Sequence, residues 1–182
     1  RSMACWALEM SSPARAVAWG VSAGGYLAGL AAASCGASEL KAPSSPATNL
    51  SKANVSDCVQ GAVSWYGVFD FATIAAQARE GHSRISRDTP DAPEWRLLGC
   101  FAQDCRKGQI AAASVTTYVT RRSSPMLLIV GDSDRLVPHQ QTLEMAETLK
   151  SAGVLHELIV LHGIDHSLMG KTLAETRQAN LK

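Results

Sequence analysis

Short apolar runs alternate along the chain with segments of helical character. The apolar runs lie at 15–20, 58–65, 125–131 and 154–161. The third, PMLLIVG, is apolar almost throughout, as expected of a strand buried on both faces of a sheet. Helical segments are predicted at 2–10, 23–34, 70–78, 94–98, 105–113, 138–151 and 167–180. This alternation predicts an α/β fold, with a parallel sheet flanked by helices and a single domain over 1–182.

Two polar stretches interrupt this pattern. Residues 37–56 are rich in proline and serine and are predicted to form a loop. Residues 79–93, REGHSRISRDTPDAP, are polar and bounded by proline, and we predict a mobile surface excursion there. The sequence shows no internal repeat and no low-complexity segment.

Charge and hydropathy exclude several classes of function. The chain has 17 Lys and Arg against 16 Asp and Glu, a formal net charge of +1, so nothing favours binding to nucleic acid or to an anionic membrane. No stretch approaches the roughly 18 consecutive apolar residues of a transmembrane helix. The first ten residues, RSMACWALEM, lack a signal-peptide cleavage pattern, so the chain is expected to begin inside a folded unit. No Cys and His grouping has zinc-ligand spacing, and no metal site is predicted.

Five cysteines are many for a domain of this size. Cys35 and Cys58 flank the polar stretch, and Cys100 and Cys105 lie five residues apart, so two disulfides are expected, with Cys5 left over. Two such bridges would indicate an oxidising compartment and hence a secreted or periplasmic protein. The alternative is that all five are buried free thiols, which pack like small apolar residues.

Polar residues follow each predicted strand, at the edge of a parallel sheet where active sites form. In chain order they are Ser22, Tyr66, Asp70, Asp132, Asp134, His162, Asp165 and His166. A serine, an acid and a histidine are therefore predicted to converge on one edge of the sheet.

The segment around Ser22 has the pattern of a nucleophile elbow. Residues 20–24, GVSAG, fit G-x-S-x-G between a strand and a helix. Gly20 and Gly24 are expected to prevent side-chain clashes in the strained turn, and Gly25 to let the helix pack closely on the sheet. The amide of Ala23, at the helix N-terminus, is a candidate oxyanion donor. The alternative is a plain strand-to-helix turn.

A serine nucleophile needs a base and a group that orients it. His166, after a short loop, is the preferred base, and His162 at the strand end is its competitor. One of Asp132 and Asp134 is expected to form the turn after the strand. We prefer Asp134 as the acid because it lies further into the loop, immediately before the return at 136–138. Asp165 is a poorer choice because its neighbour His166 points away from it in most loop geometries. His82, His139 and His156 fall in a loop, a helix start and a strand, where surface or core roles suit them better.

The chain resembles the α/β-hydrolase superfamily, within its esterase and lipase group of feruloyl-esterase-like and hormone-sensitive-lipase-like enzymes. The matching segments are SPARAVAWGVSAGGYLA, VSWYGVFDF, LLGC, PMLLIVGDSDRLVPHQQTLEMAETLKSAG and HGIDHSLMG. The resemblance implies that Ser22 is the nucleophile, Asp134 the acid and His166 the base. It implies a carboxylic-ester hydrolase that acts on small-molecule esters without metal or cofactor.

The sequence departs from the family in one respect. Family members carry N-terminal strands and an HGG-type loop that supplies further oxyanion amides, and nothing here matches them. The chain is therefore expected to be the C-terminal portion of the fold, with an open edge at the 15–20 strand that self-associates or pairs with an N-terminal part. Loss of one oxyanion donor typically costs about 100- to 1,000-fold in rate.

Two other functions remain open from the sequence. The same chemistry would suit a serine peptidase of the prolyl-oligopeptidase type, although those enzymes more often carry tyrosine where Ala23 stands. The second open function is that of a truncated, non-catalytic binding module. Tyr66, Leu136 and the 79–93 stretch are candidates for the pocket lining, although each is also explained by plain structure.

Overall fold

The computed structural model describes residues 16–35, 37 and 58–166. The described residues contain four strands, β1 (Val17–Val21), β2 (Gly61–Trp65), β3 (Met126–Gly131) and β4 (His156–Leu161). The helices are α1 (Ala23–Ala33), α2 (Ile74–Glu80), α3 (Pro93–Leu98), α4 (Gln109–Ala113) and α5 (Gln140–Ser151). A 3₁₀ helix covers Val115–Tyr118.

The strands form one parallel sheet in the order β1-β2-β3-β4. Val17 of β1 pairs with Gly61 of β2, and Met126 of β3 pairs with His156 of β4. All four strands therefore end at one edge of the sheet. This arrangement confirms the predicted α/β fold and places the residues after each strand together.

The core lies mainly on one face of the sheet. Met126 and Leu128 of β3 are fully buried there against small residues of α1 and against Met145 and Leu149 of α5. Leu127 and Ile129 point to the opposite face, where they join a smaller cluster with Leu161 and Ile164. This alternation follows from the period of two in a strand, and it explains why β3 is buried along its whole length.

Several predicted boundaries are corrected by local turns. The helix predicted at 70–78 begins only at Ile74, because the Asp70 carboxylate accepts a hydrogen bond from the Ala72 amide and holds a turn. The helix predicted at 105–113 begins at Gln109, after Gly108 in the left-handed region at φ 83°. The 3₁₀ helix was not predicted. The predicted helices 2–10 and 167–180 and the 37–56 loop lie outside the described residues, apart from residue 37.

The 79–93 stretch is irregular, as predicted, but it is anchored to the body of the protein. The Arg84 amide donates to the Arg135 carbonyl oxygen at 2.7 Å, and the Ser83 hydroxyl donates to the same oxygen at 3.0 Å. Arg87 is buried, which corrects the expectation that the whole stretch lies at the surface. Its mobility stays a prediction.

Both expected disulfides are present. Cys35 bonds to Cys58 and Cys100 bonds to Cys105, whereas Cys5 lies outside the described residues. The free-thiol alternative is therefore wrong for these four cysteines. The longest described helix has 12 residues, and none of the described helices combines the length and apolar character needed to cross a bilayer.

Candidate active site

Ser22 occupies a strained turn between β1 and α1. Its backbone has φ 51° and ψ −119°, a region that non-glycine residues rarely adopt. The turn is held by two hydrogen bonds, from the Ser22 amide to the Trp65 carbonyl oxygen at 2.9 Å and from the Tyr26 amide to the Ser22 carbonyl oxygen at 3.0 Å. Backbone strain of this kind concentrates at functional sites, where the surrounding structure enforces it.

The glycines around Ser22 differ in whether the structure leaves space for a side chain at each position. A Cβ on Gly20 would lie 2.1 Å from the Gly24 carbonyl oxygen, and a Cβ on Gly25 would lie 2.7 Å from that of Trp65. Both positions therefore require glycine for close approach. Gly24 does not, which corrects the expectation for it: among the described residues, a Cβ there would meet no atom within 4 Å. Only the backbone of Gly24 is close to Gly20.

Three side chains from distant parts of the chain form a continuous line. The Nε2 atom of His166 lies 3.0 Å from the Ser22 Oγ, and its Nδ1 lies 2.8 Å from Oδ2 of Asp134. The exposed side-chain fraction is 9% for His166 and 0% for Asp134. The other Asp134 oxygen accepts hydrogen bonds from the Leu136 and Val137 amides at 2.8 and 2.9 Å, so the carboxylate is fixed from both sides.

The competing acid and base pair with each other instead. The Nδ1 atom of His162 lies 2.8 Å from an Asp132 oxygen, and the His162 side chain is 79% exposed. Desolvation alone would raise the pKa of Asp132, but hydrogen bonds from His162 and from the Gly163 amide outweigh it and lower the pKa. The described contacts of His162 and Asp132 therefore do not include Ser22, His166 or Asp134.

Asp165 supports the backbone of His166 rather than its ring. One Asp165 oxygen accepts hydrogen bonds from the His166 amide at 2.8 Å and from the Arg135 amide at 2.9 Å. The other lies 3.0 Å from the Arg135 guanidinium and 3.1 Å from that of Arg84. Desolvation would raise the pKa of Asp165, but these hydrogen bonds and the Arg135 charge lower it. Sequence reasoning missed both arginines because no local pattern marks them.

Tyr66 packs against the imidazole. Its ring centroid lies 4.5 Å from that of His166 with the planes tilted by 57°. The residue is buried and has φ 42°, which is unusual for a bulky side chain. Its position directly after β2 is the signal that marked it in the sequence.

Two of the cavities in the part of the chain that the structure describes border His166. One, of about 390 Å³, opens beside Ser22 and Ala23 and is lined mainly by apolar residues, including Tyr26, Leu27 and Phe71. Of the predicted lining candidates, Leu136 and part of the 79–93 stretch contribute to this pocket. The other cavity, of about 810 Å³, lies on the side of Asp134 and is lined mainly by polar residues, which come from the loops after β3 and β4 and from the 79–93 stretch.

A serine, a histidine and a buried aspartate at the carboxyl ends of parallel strands are typical of α/β hydrolases, both esterases and peptidases. The comparisons with known proteins agree. The BD-FAE family matches residues 10–149, and the chain belongs to this family of α/β-hydrolase esterases.

Solved structures share the fold. A truncated form of a carbohydrate esterase from gut microbiota is 23% identical, with a TM-score of 0.67, over 88% of this chain and 55% of that chain. The thermophilic esterase Est2 of the Planctomycetes species Thermogutta terrifontis is 22% identical, with a TM-score of 0.58, over 90% of this chain and 51% of that chain. This chain therefore spans about half the length of each of these two solved esterases.

The name of one curated relative indicates an activity other than that of an esterase. Acylamino-acid-releasing enzyme 1 of Oryza sativa subsp. japonica is 28% identical over 109 residues, which is 50% of this chain and 14% of the rice protein. The names of these relatives include esterases and an acylamino-acid-releasing enzyme, so the relatives do not agree on the bond that is cleaved.

Proposed function

We propose that this chain carries the catalytic triad of a serine carboxylic-ester hydrolase, with Ser22 as nucleophile, His166 as general base and Asp134 as the orienting acid. The observation that carries the proposal is the line of contacts from Ser22 Oγ through the imidazole to the buried Asp134 carboxylate, at 3.0 and 2.8 Å. Those distances are within hydrogen-bond reach, the first requirement for an activated serine.

The proposed reaction has two halves. In the first, His166 Nε2 takes the Ser22 proton as Oγ attacks the ester carbonyl carbon, and the alcohol leaves with that proton. In the second, His166 deprotonates a water molecule that attacks the acyl-enzyme, which releases the acid and restores Ser22. Asp134 keeps the proton-bearing Nδ1 in place and stabilises the imidazolium in both halves.

The oxyanion that forms in each half needs hydrogen-bond donors. The Ala23 amide is the first of α1, where backbone N–H groups have no acceptor within the helix and the helix dipole favours negative charge. We propose this amide as one donor, with a second supplied from outside the described residues.

The proposal is tested by reaction with an organophosphonate followed by intact-mass analysis. The expected result is one adduct on the chain and none on the Ser22→Ala variant. Folded protein that takes up no adduct, or takes up the same adduct in Ser22→Ala, would contradict the assignment of Ser22.

A peptidase is the second candidate, favoured by the match to the rice acylamino-acid-releasing enzyme. Matched acyl ester and acyl peptide substrates distinguish the two activities. The esterase is supported if the protein cleaves the ester faster than the peptide by much more than the ratio of their uncatalysed hydrolysis rates. Comparable rates of enzymatic cleavage for both substrates support the peptidase.

A non-catalytic binding module is the third candidate. β1 is an edge strand of the sheet that the structure describes, and Trp19 on it is exposed. An inactive chain that elutes from size exclusion as a defined oligomer would favour this role.

The two disulfides support the proposal that the protein works in a secreted or periplasmic setting.

A further inference from the structure

The turn after β2 contacts both the proposed nucleophile and the proposed base. The Trp65 carbonyl oxygen accepts a hydrogen bond from the Ser22 amide at 2.9 Å. The ring of the next residue, Tyr66, packs on the imidazole of His166, with 4.5 Å between the ring centroids. Two adjacent residues of one short turn therefore affect how Ser22 and His166 are placed relative to each other.

The backbone of Tyr66 is strained. Its φ is 42°, in the left-handed region that glycine adopts freely and bulky residues rarely do. Such a conformation costs stability, and it persists only where the surrounding structure enforces it. Glycine would remove the strain at this position, so the backbone does not explain why a bulky residue stands here. The side chain of Tyr66, which is buried, is the better explanation.

The turn itself is held firmly between β3 and the start of α1. The Tyr66 amide donates to the Ile129 carbonyl oxygen at 2.7 Å, and the Ser64 hydroxyl donates to the Gly25 carbonyl oxygen at 2.9 Å. A Cβ on Gly67 would lie 2.9 Å from the backbone carbonyl carbon of Gly25, so the turn and the helix are in close contact. The Tyr66 ring thus projects from a well-fixed backbone.

The imidazole of His166 needs a support of this kind. Its hydrogen bonds to Asp134 and Ser22 fix one point on each side of the ring. They do not by themselves fix the plane of the ring, because the last side-chain torsion of histidine has broad energy minima. A second ring packed against the imidazole limits this rotation. Orientation matters for the rate, since a misplacement of about 1 Å can cost about 100-fold.

We propose that Tyr66 is a positioning residue, whose ring holds the imidazole of His166 in the orientation in which Nε2 faces the Ser22 hydroxyl. The inference rests on the proposed function of Ser22 and His166. Among the described residues, those that line the two cavities bordering His166 do not include Tyr66. The ring therefore acts on the base and not on the substrate.

The test measures the rate of Ser22 labelling by an organophosphonate, followed by intact mass at several phosphonate concentrations. Tyr66→Phe keeps the ring and should label nearly as fast as the unmodified chain. Tyr66→Leu removes the ring, and we expect its maximal labelling rate to fall about 100-fold. The phosphonate concentration that gives half of the maximal rate should change little, because Tyr66 lines neither cavity.

Phe69→Leu is the matched control for the loss of a buried aromatic ring. Phe69 belongs to the same connection after β2 and is fully buried, but it lies in the main core cluster, to which His166 does not belong. We expect this variant to lower the midpoint of thermal unfolding and to leave the maximal labelling rate nearly unchanged. Should Tyr66→Leu not fold, Tyr66→Asn gives the same comparison, because asparagine tolerates a positive φ.

Proton NMR reports on the base directly. The proton that the proposed function places on His166 Nδ1, in the hydrogen bond to Asp134, gives a resonance far downfield of the other protons. We expect this resonance in the unmodified chain, in Tyr66→Phe and in Phe69→Leu. In Tyr66→Leu it should be shifted or broadened, because the imidazole is no longer held in one orientation.

The failures of the two proposals are distinguishable. If Tyr66→Leu labels as fast as Phe69→Leu, or if Tyr66→Phe is as slow as Tyr66→Leu, the ring does not position the base and the inference is wrong. If the folded, unmodified chain takes up no label, the proposed function of Ser22 is itself contradicted. The NMR comparison then still tests the effect of the Tyr66 ring on His166, and an unchanged resonance in Tyr66→Leu would overturn it.

Discussion

Replacement of Asp134 by asparagine tests the proposed triad most directly. The side chain is fully buried, one oxygen faces His166 Nδ1 at 2.8 Å, and the other accepts two backbone amides. Asparagine has nearly the same shape and can keep the amide contacts through its carbonyl oxygen. Its NH₂ group then faces the imidazole, so Nδ1 must accept and the ring proton moves to Nε2, towards Ser22.

A histidine with its proton on Nε2 cannot accept the Ser22 proton. The expected loss in the rate of Ser22 acylation is on the order of 10⁴-fold, the typical effect of this change in a serine triad. At about 1.36 kcal/mol per factor of ten, this loss corresponds to about 5.4 kcal/mol of transition-state stabilisation. The assay is the rate of phosphonate labelling or of p-nitrophenyl ester cleavage, with the midpoint of thermal unfolding measured in parallel.

Asp132→Asn is the matched control. Asp132 contacts His162 at the same distance of 2.8 Å and lies two residues from Asp134, but the His162 side chain is exposed and the described contacts of this pair do not include Ser22. We expect its rate to stay within about threefold of the unmodified chain, because the change leaves the contacts of His166 with Ser22 and Asp134 in place and surface pairs of this kind contribute little. Equal losses in both variants, or an Asp134→Asn variant that stays active, would refute the assignment of Asp134.

Three further predictions concern stability. Gly25→Ala should lower the free energy of unfolding by about 3 kcal/mol, because its Cβ would lie 2.7 Å from a backbone carbonyl oxygen of β2. Gly24→Ala should be neutral or slightly stabilising, because a Cβ there would meet no described atom within 4 Å. Urea unfolding compares the two variants, and equal effects would contradict the packing argument. Joint replacement of Cys35 and Cys58 by alanine should remove about 3 kcal/mol, the chain-entropy value for cysteines 23 residues apart, and an unchanged urea midpoint would disprove it. The lowered pKa of Asp165 means that its contribution is complete above the ordinary value of 3.8 and is lost as pH falls through the pKa of the folded state. Asp165→Asn should therefore destabilise the protein at pH 7, and a difference that persists in strong acid would argue against this linkage.

Local patterns were sufficient for the elements and for most of the candidate site. The continuous apolar run of β3 marked a strand buried on both faces, because a strand exposes its two faces alternately. The glycine spacing marked the turn at Ser22, because only residues without a side chain allow so close an approach at Gly20. Parallel strands all end at one edge, so the order of strands and loops alone brought Ser22, Asp134 and His166 into consideration together.

Sequence alone determined the α/β pattern, the turn at Ser22 and a short set of acids and bases, since these depend on spacing within one element. The sequence favoured Asp134 and His166, but only the tertiary structure showed which acid faces which histidine, because that depends on where each loop directs its side chains. The tertiary structure also decided the burial of Arg87 against Glu94 in a stretch whose composition predicts only exposed surface. Such contacts depend on how loops from separate strands pack over the same sheet edge, and local spacing carries no information about that packing.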